Sequence, residues 1–173
     1  MARQNSDLKQ QIKDRFANVA RSPENEKVFP VGSAIAKALG YDADEIDGLP
    51  VEVTESFSGV GNPVSLGDVA PGQTILDLGC GAGLDSILAA RRVRPTGTVI
   101  GIDMTTEMLD KAKRSAVCAG VNNIQFHFGE AEELPVADET VNVVITNGVF
   151  NLCLDKPKVL TELHSVLRPG GRL

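Results

Sequence analysis

The sequence predicts an α/β fold, a doubly wound parallel sheet wrapped by helices, and three observations carry that prediction. Apolar, β-rich runs at 74–79, 98–103, 124–129 and 141–147 alternate with helical stretches at about 83–93, 106–119 and 156–167. Such alternation gives parallel strands joined by crossover helices. The first strand runs into a glycine-rich turn, Asp77-Leu78-Gly79-Cys80-Gly81-Ala82-Gly83, and the second ends on a carboxylate, Asp103.

Ahead of the sheet, Leu8, Ile12, Phe16, Val19 and Ala20 recur at three- and four-residue intervals, the stripe of an amphipathic helix over residues 6–20. That helix is expected to lie across the body or over a ligand. Between Arg21 and Pro71 the chain is rich in Gly, Pro, Asp and Ser, with short helices expected near Ser33 to Leu39, Asp42 to Asp47 and Val64 to Val69. Residues 1–70 are therefore expected to form a helical lid segment, and 71–173 the ligand-binding core. Thr105 is placed to cap the second core helix. The third opens at Asp155-Lys156-Pro157, carries Val159, Leu160, Leu163, Val166 and Leu167 on one face, and is expected to stop at Pro169-Gly170-Gly171.

At 173 residues, with 42% hydrophobic and 23% charged residues, the chain has the composition of one soluble globular domain. A net charge of −6 and scattered basic residues give no phosphate-backbone footprint, so nucleic acid is not expected as a partner. No run resembles a signal peptide or a membrane span, which makes the cytoplasm the expected location. Cys80, Cys118 and Cys153 lie far apart without C-x-x-C spacing, so they read as buried or half-buried thiols and no metal site is expected. His127 and His164 read as structural residues.

In a doubly wound sheet the ligand sits beyond the carboxyl ends of the strands where strand order reverses, and the first strand-to-helix turn is that place. Glycines at alternate positions let a ligand approach the backbone and touch its amides. The spacing is G-x-G-x-G, with Leu84 where a dinucleotide fingerprint needs its third glycine. With Asp77 ahead of the turn, this favours a cofactor carrying an ammonium and a ribose over one carrying a pyrophosphate. A nicotinamide enzyme is accordingly disfavoured. Asp103 can accept both ribose hydroxyls, or can simply cap the next helix. Gly129-Glu130-Ala131 follows the third strand, where it can meet an adenine edge or serve as a plain turn, and Glu132 and Glu133 read as solvated.

Together these residues resemble the class I S-adenosylmethionine-dependent methyltransferases, whose core is Rossmann-like. Ile75 to Gly83 is similar to their first motif, Asp138 to Asn147 to their fourth strand, and Val166-Leu-Arg-Pro-Gly-Gly-Arg-Leu173 to the segment leading into a fifth. A closer resemblance is to the arsenite methyltransferase branch. It rests on Gly59-Val-Gly-Asn-Pro63, Leu84-Asp-Ser86, Asp103-Met104-Thr105, Leu134-Pro-Val-Ala-Asp138 and Thr146-Asn-Gly-Val-Phe-Asn-Leu152. The resemblance implies S-adenosylmethionine held by Asp77, Gly79, Cys80, Gly81, Gly83, Asp103 and Met104. Gly61, Asn62, Glu130, Ala131, Asn147 and Gly148 join that set, while Val149, Phe150 and Asn151 face a small-molecule methyl acceptor.

Two departures from the branch bear on function. It holds arsenic with cysteine thiolates at positions that here read Val60 and Gly148, and a soft metalloid without thiolates lacks good ligands. The family also continues with three more strands where this chain stops at Leu173. The sheet is therefore expected to be truncated after the fourth strand and its helix, leaving the fourth strand as an exposed edge open to self-pairing. No residue stands out as a base or nucleophile. A methyltransferase acting on a small molecule is the expected function, and the alternative is a cofactor-binding but catalytically incomplete module working through a partner chain.

Overall fold

A computed structural model describes residues 2–173, with side chains from Asp7 onward. Helix α1 (Ala2–Arg21) is followed by three short helices, α2 (Ser33–Ala38), α3 (Ala43–Asp47) and α4 (Val51–Thr54). Then strands β1 (Thr74–Leu78), β2 (Thr98–Asp103), β3 (Ile124–Phe128), β4 (Val141–Thr146) and β5 (Leu167–Arg172) alternate with α5 (Leu84–Arg92), α6 (Thr106–Cys118) and α7 (Lys156–Val166). The order across the sheet is β3-β2-β1-β4-β5 with every pairing parallel, so strand order reverses between β1 and β4. That reversal opens a crevice at the carboxyl ends of these two strands.

The central strand β1 is buried on both faces, as its uninterrupted apolar run requires. Ile75 packs with Ile87, Leu88, Val99 and Val143 on one face. Leu76 and Leu78 pack with Val144, Val159 and Leu163 on the other. Ala36, Tyr41, Ile46, Val53 and Phe57 join the first cluster, so the helices of residues 33–57, expected within a lid segment, are part of the main core. The apolar stripe of α1 buries Val19 and Ala20 and leaves Leu8 46% exposed.

Several local expectations change in the structure. Helix α4 had no sequence signal, and residues 64–69 form only the end of a short 3-10 turn at Pro63–Ser65. Thr105 stands at the N-cap of α6 without a side-chain cap bond, whereas Asp155 caps α7 by accepting the Lys158 N–H. Helix α7 ends at Val166, earlier than the Pro-Gly-Gly signal, because the chain turns extended at Leu167 and pairs with β4 as β5. The fourth strand is therefore covered, which corrects the expected exposed edge, and Pro169 falls where the β4–β5 register shifts, between the Leu167 and Arg172 pairings, a place that tolerates proline. Cys118 is exposed, not buried, and His127 and His164 are exposed as well. No described helix is long and apolar enough to cross a membrane.

Leu76, fully buried at the middle of β1, tests the two-faced core. Leu76→Ala is expected to cost about 2–5 kcal/mol in urea unfolding, whereas Leu160→Ala on the exposed side of α7 stays within about 0.5 kcal/mol.

Candidate functional site

A cleft opens at the strand reversal, the place where a doubly wound sheet binds its ligand. Its floor is the turn after β1, one side is the end of β2 with Met104 and Thr105, and the other is Asn147, Gly148 and Val149 after β4. Gly129, Ala131 and Glu132 close one end, and Lys9, Ile12 and Phe16 of α1 form a roof.

Glycines fix the floor. Gly79, Gly81 and Gly83 have positive φ values of 71°, 51° and 94°, a region that side chains disfavour. A Cβ on Gly79 would stand 1.9 Å from Val149 Cγ2, so the turn and the end of β4 meet only because that side chain is absent. A Cβ on Gly81 would meet no protein atom within 4 Å. Gly81 lines the cleft, so a larger side chain there would enter the space a ligand needs.

The Gly79, Cys80, Gly81 and Gly83 amides of the turn are already used, contrary to the expectation that the turn's amides touch the ligand. The N–H groups of Gly79 and Cys80 both donate to Ile102 O, at 2.7 and 2.9 Å, and Gly83 N–H donates to Cys80 O. Gly81 N–H donates to Asp103 Oδ2 at 2.9 Å. At the start of α5, Asp77 accepts from the Ser86 hydroxyl at 2.6 Å. A helix N-terminus following a glycine turn ordinarily offers an anion site. Here a carboxylate of the protein already stands beside it.

Three carboxylates surround the turn. Asp77 and Asp85 are 1% and 6% exposed, and Asp103 reaches the cleft while its oxygens accept from Gly81 and from Thr105 N–H. Among the described residues none of the three forms an ion pair with lysine or arginine. Burial, with the Asp85 charge adding to it, pushes Asp77 up to about 8. Desolvation raises Asp85, against hydrogen bonds from Tyr41 and Asn147 and the more distant Arg92 charge, which lower it. Asp103 is raised by burial against the pull of the Thr105 and Gly81 amides. Uncompensated buried carboxylates are costly, and a cationic ligand offsets that cost.

The structure brings Gly79, Gly81, Asp103, Met104, Ala131, Asn147, Gly148 and Val149 to the cleft. Asp77 lies beneath the turn, and Cys80 borders a smaller adjoining cavity with Asp85 and Ser58. Gly83 packs on Ala112. Gly61 and Asn62 stand behind Asn147, where Gly61 O accepts from Asn147 Nδ2 and Asn62 Nδ2 donates to Gly40 O. Phe150 packs into the core and Asn151 is exposed.

Glu130 points at α1, where Lys9 at 2.6 Å and Lys13 at 3.2 Å pair with it. The Lys9 bond is the main reason its carboxyl lies below the usual range. Glu132 also pairs with Lys9 and its side chain is 15% exposed, which corrects its reading as solvated. Glu133 is exposed as expected. The roof residues had no sequence signal beyond the stripe of α1, and the partners of Lys9 lie more than a hundred residues away.

Val60 and Gly148 do come together, since a Cβ on Gly148 would stand 3.6 Å from Val60 Cγ1. Cys153 lines the cleft, but its thiol lies 3.5 Å from Val149 O and burial raises its pKa. Among the described residues no cluster of His, Cys, Asp and Glu could hold a metal ion.

Comparison with known proteins agrees with this geometry. A family profile described as "Methyltransferase domain" matches residues 70–173. The arsenite methyltransferase of Halobacterium salinarum is 48% identical over 138 residues, covering 80% of this chain and 35% of the relative. A ubiquinone/menaquinone biosynthesis C-methyltransferase of Haemophilus ducreyi is 39% identical over 163 residues, covering 91% of this chain and 60% of the relative. Among solved structures, an arsenic(III) S-adenosylmethionine methyltransferase from Chlamydomonas reinhardtii superposes with a TM-score of 0.66 at 37% identity, over 82% of this chain and 47% of that one. This chain thus spans between about a third and three fifths of the length of these relatives.

The buried carboxylates make stability depend on pH. A carboxyl whose folded pKa lies above its unfolded value holds a proton that the unfolded chain releases, so stability is lost as pH rises through the folded value. With Asp77 at about 8, the melting temperature of the ligand-free chain is expected to fall between pH 6 and pH 8.5. Asp77→Asn should flatten that slope in a thermal scan.

Proposed function

The chain belongs to the methyltransferase domain family, whose cofactor is S-adenosylmethionine, and we propose that it binds this cofactor in the cleft and methylates a small molecule. One observation carries the reading. Two buried carboxylates, Asp77 and Asp85, and the cleft-lining Asp103, none of them in an ion pair among the described residues, surround a turn in which the Gly79, Cys80, Gly81 and Gly83 amides are already bonded. S-adenosylmethionine is a cation at its sulfur and at its amino group, and it carries no phosphate. The donor set fits it and does not fit a pyrophosphate.

Each part of the cleft has a role in this reading. Asp103 keeps lone pairs free on both oxygens and would accept the ribose hydroxyls. Met104 and Ala131 offer apolar surfaces for the adenine, and Gly79 and Gly81 let the amino-acid end lie close to the backbone. When bound, the cofactor supplies a methyl group on a sulfonium, already a good leaving group. The protein's task is then positioning and the exclusion of water. Ile12 and Phe16 of α1 contribute to exclusion, and the ion pairs of Lys9 and Lys13 hold that end of the helix over the cleft.

The acceptor is expected to be an organic small molecule approaching past Gly148 and Val149. Val60 and Gly148 stand together where the arsenite branch supplies thiolates, and neither offers a ligand to a soft metalloid, so arsenite is a poor fit despite the resemblance. The whole protein's substrate preference rests on this local chemistry.

Calorimetry with S-adenosylmethionine tests the reading. The chain is expected to bind it, Asp103→Ala to weaken binding about ten- to a hundredfold, and Gly81→Val to abolish it. Absence of binding by the wild type would overturn the proposal. Turnover on arsenite and on a panel of oxygen, nitrogen, sulfur and carbon nucleophiles is expected to give product with an organic acceptor only. Binding without any product would favour instead a cofactor-binding module that works through a partner chain.

A further inference from the structure

Of the three carboxylates, Asp103 alone lines the main cleft, and Asp85 borders a smaller cavity beside it. We propose that Asp85 is a positioning residue: through the side-chain amide of Asn147 it locks residues 58–61 against the end of β4 and so sets the cleft wall formed by Ser58 and Gly148.

Asp85 lies in the first turn of α5 and each of its oxygens has a partner. Oδ1 accepts the Tyr41 hydroxyl at 2.6 Å, and Oδ2 accepts Asn147 Nδ2 at 3.0 Å. The same Nδ2 donates to Gly61 O at 2.8 Å, while Asn147 Oδ1 accepts the N–H groups of Val60 at 2.8 Å and Gly61 at 3.1 Å. One amide therefore ties β4, α5 and the loop together.

Asp85 Oδ2 and Gly61 O both accept from Asn147 Nδ2, and the two loop N–H groups can only donate, so the amino end of Asn147 faces Asp85. Its oxygen then necessarily faces the two loop amides. Turning the amide over would set oxygen against carboxylate and against Gly61 O, and amino hydrogens against two N–H donors. The direction of Asn147 is thus set jointly by the loop it holds and by Asp85, which lies outside the main cleft. Tyr41 is itself held in place, its ring edge-on to Phe57 with centroids 5.3 Å apart.

The lock has little slack. A Cβ on Gly59 would stand 2.3 Å from Asn147 Nδ2. Ser58 and Gly148, both cleft-lining, are carried on the two segments that Asn147 joins, and a Cβ on Gly148 would stand 3.9 Å from Ser58 O. Movement of the loop therefore changes the wall directly.

The binding consequence rests on the reading of the cleft as an S-adenosylmethionine site, whereas the orientation of Asn147 does not. The test uses the whole chain with Asp85→Asn and the milder Tyr41→Phe, which keeps the ring and removes the hydroxyl. In nuclear magnetic resonance, Asp85→Asn is expected to shift the Asn147 side-chain amide signals and to raise hydrogen exchange at Val60 and Gly61 about tenfold relative to Ile75. S-adenosylmethionine affinity measured by calorimetry, well below the melting temperature, is expected to fall about tenfold. Tyr41→Phe should act on the same signals in the same direction with smaller amplitude.

A variant that melts earlier yet keeps wild-type exchange at Val60 and Gly61 and wild-type affinity would overturn the proposal, since a residue serving stability alone predicts that pattern. If Asp85→Asn does not fold, Tyr41→Phe decides on the same readouts. If the wild type binds no S-adenosylmethionine, the cofactor reading falls and the exchange data still decide the role of Asp85.

Discussion

A carboxylate of the protein stands at the start of α5, and the character of the site follows from that placement. Asp77, near the end of the buried strand β1, accepts the Ser86 hydroxyl in the first turn of the helix. Its presence there disfavours a phosphate at a helix start that would otherwise attract one. With Gly79 and Cys80 bonded to Ile102 O and Gly81 bonded to Asp103, the turn presents space and negative charge. A glycine turn of outwardly familiar shape is thereby reversed in polarity.

The same bonds knit the elements around the cleft. Asp103 fastens the end of β2 to the turn, the missing Cβ of Gly79 admits Val149 after β4, and Asn147 brings in residues 58–61. At the far end of α1, Lys111 donates to Ala20 O and Ser56 Oγ and pairs with Glu55, a buried anchor for the roof helix. The opposite end of α1 is held by half-exposed ion pairs to Glu130 and Glu132, individually weak contacts. The roof is firmly fixed at one end and lightly at the other. Carboxylates buried without cations lower the stability of the ligand-free protein, a cost common at sites shaped for a ligand.

Much of this was legible in the sequence, for physical reasons. The alternation of apolar runs and helical stripes located all four expected strands within a residue or so, because burial on both faces of a parallel sheet enforces it. The turn stood out because only glycine tolerates its backbone. Local pattern could not say where the amides of the turn point, since that depends on Ile102 and Asp103 in another strand. Asp85 and Tyr41 carried no signal, because they meet Asn147 across 62 and 106 residues of chain. Strand β5 was hidden by Pro169 and the two glycines after it, which read as a helix stop and are tolerated where the register with β4 shifts.

The central claim is that the buried carboxylates await a cation, and the protons they give up on binding measure it most directly. A bound cation favours the ionised form of Asp77, Asp85 and Asp103, whose pKa values are raised in the ligand-free site. Calorimetric titration with S-adenosylmethionine at pH 6.5, in two buffers of different ionisation enthalpy, counts those protons. The account predicts net proton release, seen as a binding enthalpy that changes with the buffer. An enthalpy that is the same in both buffers, or one that reports proton uptake, would contradict it.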